Sequence, residues 1–273
     1  KNFQYPADYI CEAVDQTRGW FYTLLAVATL LDYDAPYKNV ISLGLIHDKF
    51  GQKMSKSKGN VVNPWDIIEK YGVDAVRWYF FTANPPGESK NFDEAEILKS
   101  YRKFHMLAYN SFVFFRTYGK KPSAKISASK NILDRWILSR LSEVGAQTTG
   151  HLDKYEIREA ALSLEEFVDD LSRWYIRRSR RRFQKPENMR DFVSASDTLY
   201  FVLVSLAKLA GPFIPFMSEA LYSELLRFAG KKKKSARGEL VESIHLADWP
   251  EVKIKTDKKL IDKMKEVRRL SSI

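Results

Sequence analysis

The sequence holds one cysteine, Cys11, in 273 residues. A single thiol excludes a disulfide framework and any Cys-rich metal site. It also suits a reducing, cytoplasmic setting. No apolar run approaches the roughly 20 residues that cross a bilayer and there is no signal peptide, so no membrane partner and no metal site are expected. Methionine is scarce: the chain opens at Lys1 and its first Met is Met54, which predicts a piece of a longer polypeptide. Acidic residues are outnumbered, 34 against 45 Lys+Arg, for a net charge of +11. What is plentiful is apolar material, 45% of the chain, enough for a real core and too much for a disordered one. The basic surplus suggests a polyanion, most often nucleic acid, with a solvated basic surface as the alternative.

The charge is unevenly spread. Residues 1–122 carry a surplus of three positive charges and residues 123–273 a surplus of eight. A small, polar stretch, Gly119–Asn131 with Pro122, separates them and reads as a linker. Before it, the run Asn39–His47 predicts a buried strand, closed by the turn Asp48–Gly51. Gln16–Leu31, Pro64–Tyr71, Asp74–Phe81 and Asp93–Tyr118 read as helices, with Asn63 a plausible N-cap and Pro64 at the first helical position. Strand then helix, repeated, predicts an α/β domain with a parallel sheet. After the linker, Ile132–Leu152, Ile157–Phe183, Asp191–Ala210 and Pro215–Phe228 repeat apolar residues at helical spacing. The pattern predicts an all-α part, an antiparallel helix bundle. Lys231–Lys234 reads as an exposed loop before a short strand near Val241–Leu246, and Lys258–Ile273 as an amphipathic basic helix.

The segment Gly51-Gln-Lys-Met-Ser-Lys-Ser-Lys-Gly-Asn60 sets three lysines, two serines and two glycines directly after the expected strand. Small residues allow close approach of the backbone, hydroxyls donate to phosphate oxygens, and lysines supply point charge. Such a loop either grips a triphosphate and neutralises departing pyrophosphate or is a solvated turn; its spacing is not that of a P-loop. Nearer the start, Glu12, Asp15 and Gln16 fall where a strand end enters a helix, suited to an amino group and ribose hydroxyls, with Trp20 as a flat wall one helical turn on. Helix-start acids and a core tryptophan are the plainer alternative.

Lys53-Met-Ser-Lys-Ser57, extended by Lys58-Gly-Asn60, resembles the KMSKS signature of class I aminoacyl-tRNA synthetases. Asp15-Gln-Thr-Arg-Gly-Trp-Phe21 narrows the resemblance to the isoleucyl branch, away from valyl and leucyl relatives. The resemblance implies the second part of a Rossmann-like catalytic domain, with ATP and its Mg2+ as cofactors and isoleucine and tRNA(Ile) as partners. It implies that Lys53 and Lys56 stabilise the activation step and that Met54, Ser55 and Ser57 join them at the ATP site. Glu12, Asp15 and Gln16 would contact the adenylate, Gly44 and His47 its adenine side, and Trp20 the isoleucine side chain. At position 13 the family usually has Gly where this chain has Ala13. The family also carries a His-x-Gly-His motif, absent from the four scattered histidines here, and an editing domain expected upstream of Lys1. A hydrophobic pocket separates isoleucine from valine by only ~1–3 kcal/mol, which is why editing is needed. Residues 1–273 alone are therefore expected not to support isoleucine-dependent ATP–pyrophosphate exchange.

Six arginines crowd Arg173–Arg182. By 3–4 spacing Arg173, Arg177, Arg180 and Arg181 share one face, opposite Leu164, Phe167, Leu171 and Trp174. Eight basic residues between positions 173 and 190 meet only Glu187, so the stripe offers guanidinium forks to RNA phosphates, a solvated face being the alternative. The segments starting at Asp134, Ser172, Pro212 and Ser243 resemble, in order, landmarks of the class I anticodon-binding bundle. The implied organisation is 1–122 catalytic part, 123–256 anticodon-binding bundle and 257–273 the start of a C-terminal extension, in a monomer. A non-catalytic tRNA-binding module and a valyl or leucyl relative are the competing readings.

Overall fold

The computed structural model describes residues 4–123, 129–230, 243–252 and 254–271, the Lys56 side chain excepted. The Lys231–Lys234 loop and the start of the strand expected near Val241 lie outside the described residues.

Two short parallel strand pairs make up the β structure of the described residues. Strand β1 (Ile10–Ala13) runs into a 3-10 turn (Val14–Arg18) and helix α1 (Trp20–Leu30). It pairs in parallel with β2 (Val40–Leu43), setting Glu12 beside Ser42. The run expected as one strand is two, because β3 (Ile46–His47) leaves β2 to pair in parallel with β4 (Lys90–Asn91). The break falls at Gly44, where a Cβ would stand 2.3 Å from the carbonyl of Glu88. Only glycine permits that crossing. The strand is also not buried as expected: Val40, Leu43 and Ile46 are exposed. Gln16 likewise sits in the 3-10 turn rather than in the helix, which starts four residues later at Trp20.

Helices α2 (Pro64–Tyr71), α3 (Val73–Thr82), α4 (Glu94–Tyr101) and α5 (Leu107–Tyr118) follow. Asn63 caps α2 by accepting from the Trp65 amide at 3.2 Å, with Pro64 in the first turn. Asp93 caps α4 the same way, and a π-helical turn (Arg102–Met106) splits the expected Asp93–Tyr118 helix. The bundle comprises α6 (Ile132–Leu152), α7 (Ile157–Asp169), α8 (Arg177–Gln184), α9 (Met189–Ala210), α10 (Pro215–Phe228) and α11 (Lys258–Ser271). A second π turn, Asp170–Ile176, separates α7 from α8. Ile244–Leu246 is a 3-10 turn capped by Ser243, not a strand. Contrary to the sequence expectation, α9 is long and apolar enough to span a bilayer, but 61% of that stretch is buried within the bundle.

One core runs from the bundle back across the linker, joining Trp78, Phe104, Phe112 and Phe115 to Phe167, Tyr175 and Phe213. Trp78 stacks on Phe104 with centroids 3.8 Å apart and meets Phe213 edge-on at 6.0 Å. Polar contacts reinforce the joint. Arg77 donates to the carbonyls of Pro212 (2.9 Å) and Phe213 (3.0 Å), and the Asp74 carboxylate accepts from the Met217 amide at 2.7 Å in the first turn of α10. Farther off, Tyr9 at the foot of β1 stacks on Tyr155 in the α6–α7 turn at 4.7 Å. The two parts of the chain are thus held at several points.

Candidate nucleotide loop and nucleic-acid interface

Parallel strands gather ligands at their carboxyl ends. Glu12, Asp15 and Gln16 stand at that end of β1, Glu12 and Asp15 exposed and Gln16 partly so. Gln16 is committed locally: its side-chain oxygen accepts from the Trp20 amide at 2.9 Å and its nitrogen donates to Asp15 at 3.1 Å. That oxygen bridges the start of α1, and Trp20 presents a half-exposed indole there (47% accessible). Ala13 has φ −70° and ψ 161°, ordinary extended backbone, so alanine strains nothing at this place. Gly44 is packed against the 86–89 segment, its amide donating to the Pro86 carbonyl at 2.9 Å.

His47 ends β3 and bridges back to Lys53, opening the loop. Lys53, Ser57 and Lys58 are exposed, Met54 and Ser55 partly so, and the Lys56 side chain lies outside the described residues. The hydroxyls of Ser55 and Ser57 are 3.1 Å apart, and the Lys58 amide donates to the Ser55 carbonyl. Beneath the loop lies a residue the sequence did not single out. Asp48 is buried; its Oδ1 accepts from the amides of Phe50 (3.0 Å) and Gln52 (2.8 Å), its Oδ2 from Asn60 Nδ2 (2.8 Å). The Asn60 bond and then the Gln52 amide hold this carboxyl below the usual carboxylate range, so it is charged at neutral pH. A cavity of about 720 Å³ opens behind the loop, walled by Phe50, Val62, Ile67, Phe92 and Leu98.

The arginine helix departs from its expected form. Leu164, Phe167 and Leu171 are buried and Trp174 half-buried, but the π turn interrupts the stripe between Arg173 and Arg177. The run also meets carboxylates from other elements, where only Glu187 had been expected. Asp169 pairs with Arg173 at 3.1 Å, and Glu187 with Arg181 at 2.5 Å. Arg182 turns inward: it contacts both oxygens of buried Asp134 at 2.7 and 2.8 Å, and Asp191 at 2.7 Å. Burial opposes its charge, but the two carboxylates more than offset this and push the guanidinium pKa up. Arg177, Arg178, Arg180, Lys185 and Arg190 remain exposed, with no ion pair among the described residues. Arg178 stacks over the Trp174 ring at 4.5 Å. Arg268 of α11 packs 5.8 Å from the same ring and pairs with Asp170, which also accepts from Arg140 at 2.8 Å. Between these helices is a cavity of about 890 Å³ lined by Trp136, Gln147, Trp174, Arg177 and Lys265.

The loop after β3 and the exposed basic face of α8 lie in the two parts of a chain that belongs among the class I tRNA synthetases. Residues 134–273 match the family model of the anticodon-binding domain of tRNA ligase, and residues 1–93 that of the class I tRNA synthetases for I, L, M and V. The chain belongs to this tRNA ligase family, and the curated relatives it matches include isoleucine–tRNA ligases. It is 46% identical, over 99% of its length, to that of Dehalococcoides mccartyi strain CBDB1, and 42% identical over 97% to that of Thermus thermophilus. It spans about a quarter (26%) of each relative's length. Solved structures share the fold. The Agrobacterium radiobacter K84 agnB2 LeuRS, in a ternary complex with tRNA and LeuAMS, superposes over 94% of this chain and 29% of its own with a TM-score of 0.63 at 20% identity. The Mycobacterium tuberculosis methionyl-tRNA synthetase, in complex with methionyl-adenylate, does so over 83% of this chain and 45% of its own with 0.65 at 22%.

Proposed function

We propose that this chain supplies the activating loop and the tRNA-binding bundle of an isoleucine–tRNA ligase. The observation that carries the reading is the 46% identity over 99% of this chain to one such ligase, of which it spans 26%, in a chain whose loop and arginine face suit both steps. In the first step the isoleucine carboxylate attacks the α-phosphorus of ATP and pyrophosphate leaves, giving isoleucyl-adenylate. Lys53 and Lys56 neutralise the charge gathering on pyrophosphate, and Ser55 and Ser57 donate hydroxyl hydrogen bonds to it. Met54 belongs to the same loop. Mg2+ arrives with ATP as part of the substrate. Glu12, Asp15 and Gln16 hold the amino group and ribose, Trp20 flanks the isoleucine side chain, and Gly44 and His47 border the adenine. In the second step a 2′-hydroxyl of the terminal tRNA adenosine attacks the acyl carbonyl and AMP leaves.

The bundle, read as antiparallel and as residues 123–256, positions the tRNA through phosphate contacts. Arg177 and Arg180, which have no carboxylate partner among the described residues, carry more of this than Arg173 and Arg181, whose partners compete with phosphate. The test is binding of a tRNA(Ile) transcript to the chain as a function of salt. Reversing Arg177 and Arg181 to Glu should weaken binding and flatten the log–log salt slope by about 0.7–0.9 for every phosphate no longer neutralised. A slope equal to that of the parent would refute the assignment of this face. Nothing observed favours a purely RNA-binding module without chemistry.

A further inference from the structure

We propose that Asp48 is a positioning residue for the Lys53–Ser57 loop, acting through Asn60 to hold the loop backbone in the form that meets a nucleotide's phosphate chain. The proposal rests on reading that loop as a phosphate site. Asp48 follows β3 directly, where the chain leaves the sheet. One carboxylate oxygen gathers the amides of Phe50 and Gln52, shaping the turn that Gly51 completes at φ 77°. The other receives Asn60 Nδ2, twelve residues on. The Asn60 amide then reaches under the loop. Its Oδ1 accepts from the Ser55 amide at 2.9 Å, and its Nδ2 donates to the Lys53 carbonyl at 3.3 Å.

Among the described residues, no hydrogen bond ties the backbone of residues 53–59 to anything outside positions 47–60. Beyond the backbone bridge from His47 to Lys53, the loop therefore hangs on one buried carboxylate and one amide. Lys53 and the serines present their charge and hydroxyls from a frame these two side chains set, while both Asp48 oxygens are taken up by Phe50, Gln52 and Asn60. The chemistry of the pair is directional. Asp48 can only accept; Asn60 must donate to it while accepting from Ser55. A buried donor facing a donor, or a carboxylate facing a carboxylate, is worse than no partner at all.

That directionality gives the test. D48N opposes two amide donors, N60D opposes two carboxylates, and the exchange D48N/N60D restores one donor against one acceptor, losing only the long bond to the Lys53 carbonyl. The three variants and the parent chain are digested briefly with trypsin, with and without inorganic tripolyphosphate. Scission after Lys53, Lys56 and Lys58 is followed by mass spectrometry, and helical circular dichroism checks that each variant is folded. Each single variant should be cut roughly tenfold faster at these sites and need roughly tenfold more tripolyphosphate for protection, while the exchange returns both within about twofold of the parent. Parent-like scission in the single variants overturns the proposal. So does faster scission with parent-like protection by tripolyphosphate, since the clip would then shape the loop without bearing on phosphate. Failure of tripolyphosphate to protect even the parent refutes the phosphate reading of the loop itself, and the proposal with it.

Discussion

Replacing Arg182 by alanine is expected to destabilise the bundle by about 3–5 kcal/mol, the range found when one partner of a buried ion pair is removed. Asp134 is fully buried and has four donors: both Nη atoms of Arg182, the Tyr175 hydroxyl at 2.7 Å and Ser129 Oγ at 2.7 Å. Only Arg182 brings positive charge. Without it a carboxylate stays in the apolar core with two neutral partners. Tyr175 gives no relief, because burial and then the Asp134 charge push its hydroxyl well above the phenol range and keep it protonated. Arg177→Ala, on the exposed side of the same helix, should move stability by less than about 0.5 kcal/mol. Arg182→Lys should recover little, since a single ammonium cannot span Asp134 and Asp191 as the planar fork does. Urea unfolding followed by circular dichroism measures all three, and equal midpoints for Arg182→Ala and Arg177→Ala would contradict the assignment.

Trp78→Ala is the second large expectation, a loss of about 3–5 kcal/mol for an emptied tryptophan site in a core. The ring is fully buried where α3 meets α7, α10 and the π turn that precedes α5. It stacks on Phe104, meets Phe213 edge-on and donates to Glu165 at 3.4 Å. Removing it strips the apolar half of the joint whose polar half is Arg77 and Asp74. Trp78→Phe should retain most of the stability, because the stack on Phe104 survives. If Trp78→Ala and Trp78→Phe unfold alike in urea, the stacking argument fails.

The fold was most legible where periodicity was long and punctuated. The bounds of α6 and α10 match the pattern to the residue, and Asn63-Pro64 announced the start of α2. It was illegible where distant backbone decided. The strand break at Gly44 is imposed by Glu88, forty-four positions away. Both π turns preserve apolar spacing closely enough to read as unbroken helix. The candidate site divides the same way. The loop and the Asp15–Phe21 segment are legible because their residue types and order are distinctive. Asp48 and Asn60 are not, since neither side chain's role exists until the loop folds. Within the arginine run, nothing in the sequence separates Arg182, which is structural, from Arg181 beside it, which faces solvent; the phase of the helix after Ile176 decides.

That phase is a matter of length. A π turn holds one residue more than the α-helical turn it replaces, and each residue rotates the helix beyond it by about 100°. Residues 170–176 thus work as an indexing tooth: substitutions there leave the heading of α8 alone, while a single deletion would swing Arg182 away from Asp134 and turn the whole cationic face with it. An engineer grafting a different RNA-binding helix onto the bundle should keep the residue count of this stretch together with its buried Asp170, Leu171 and Tyr175.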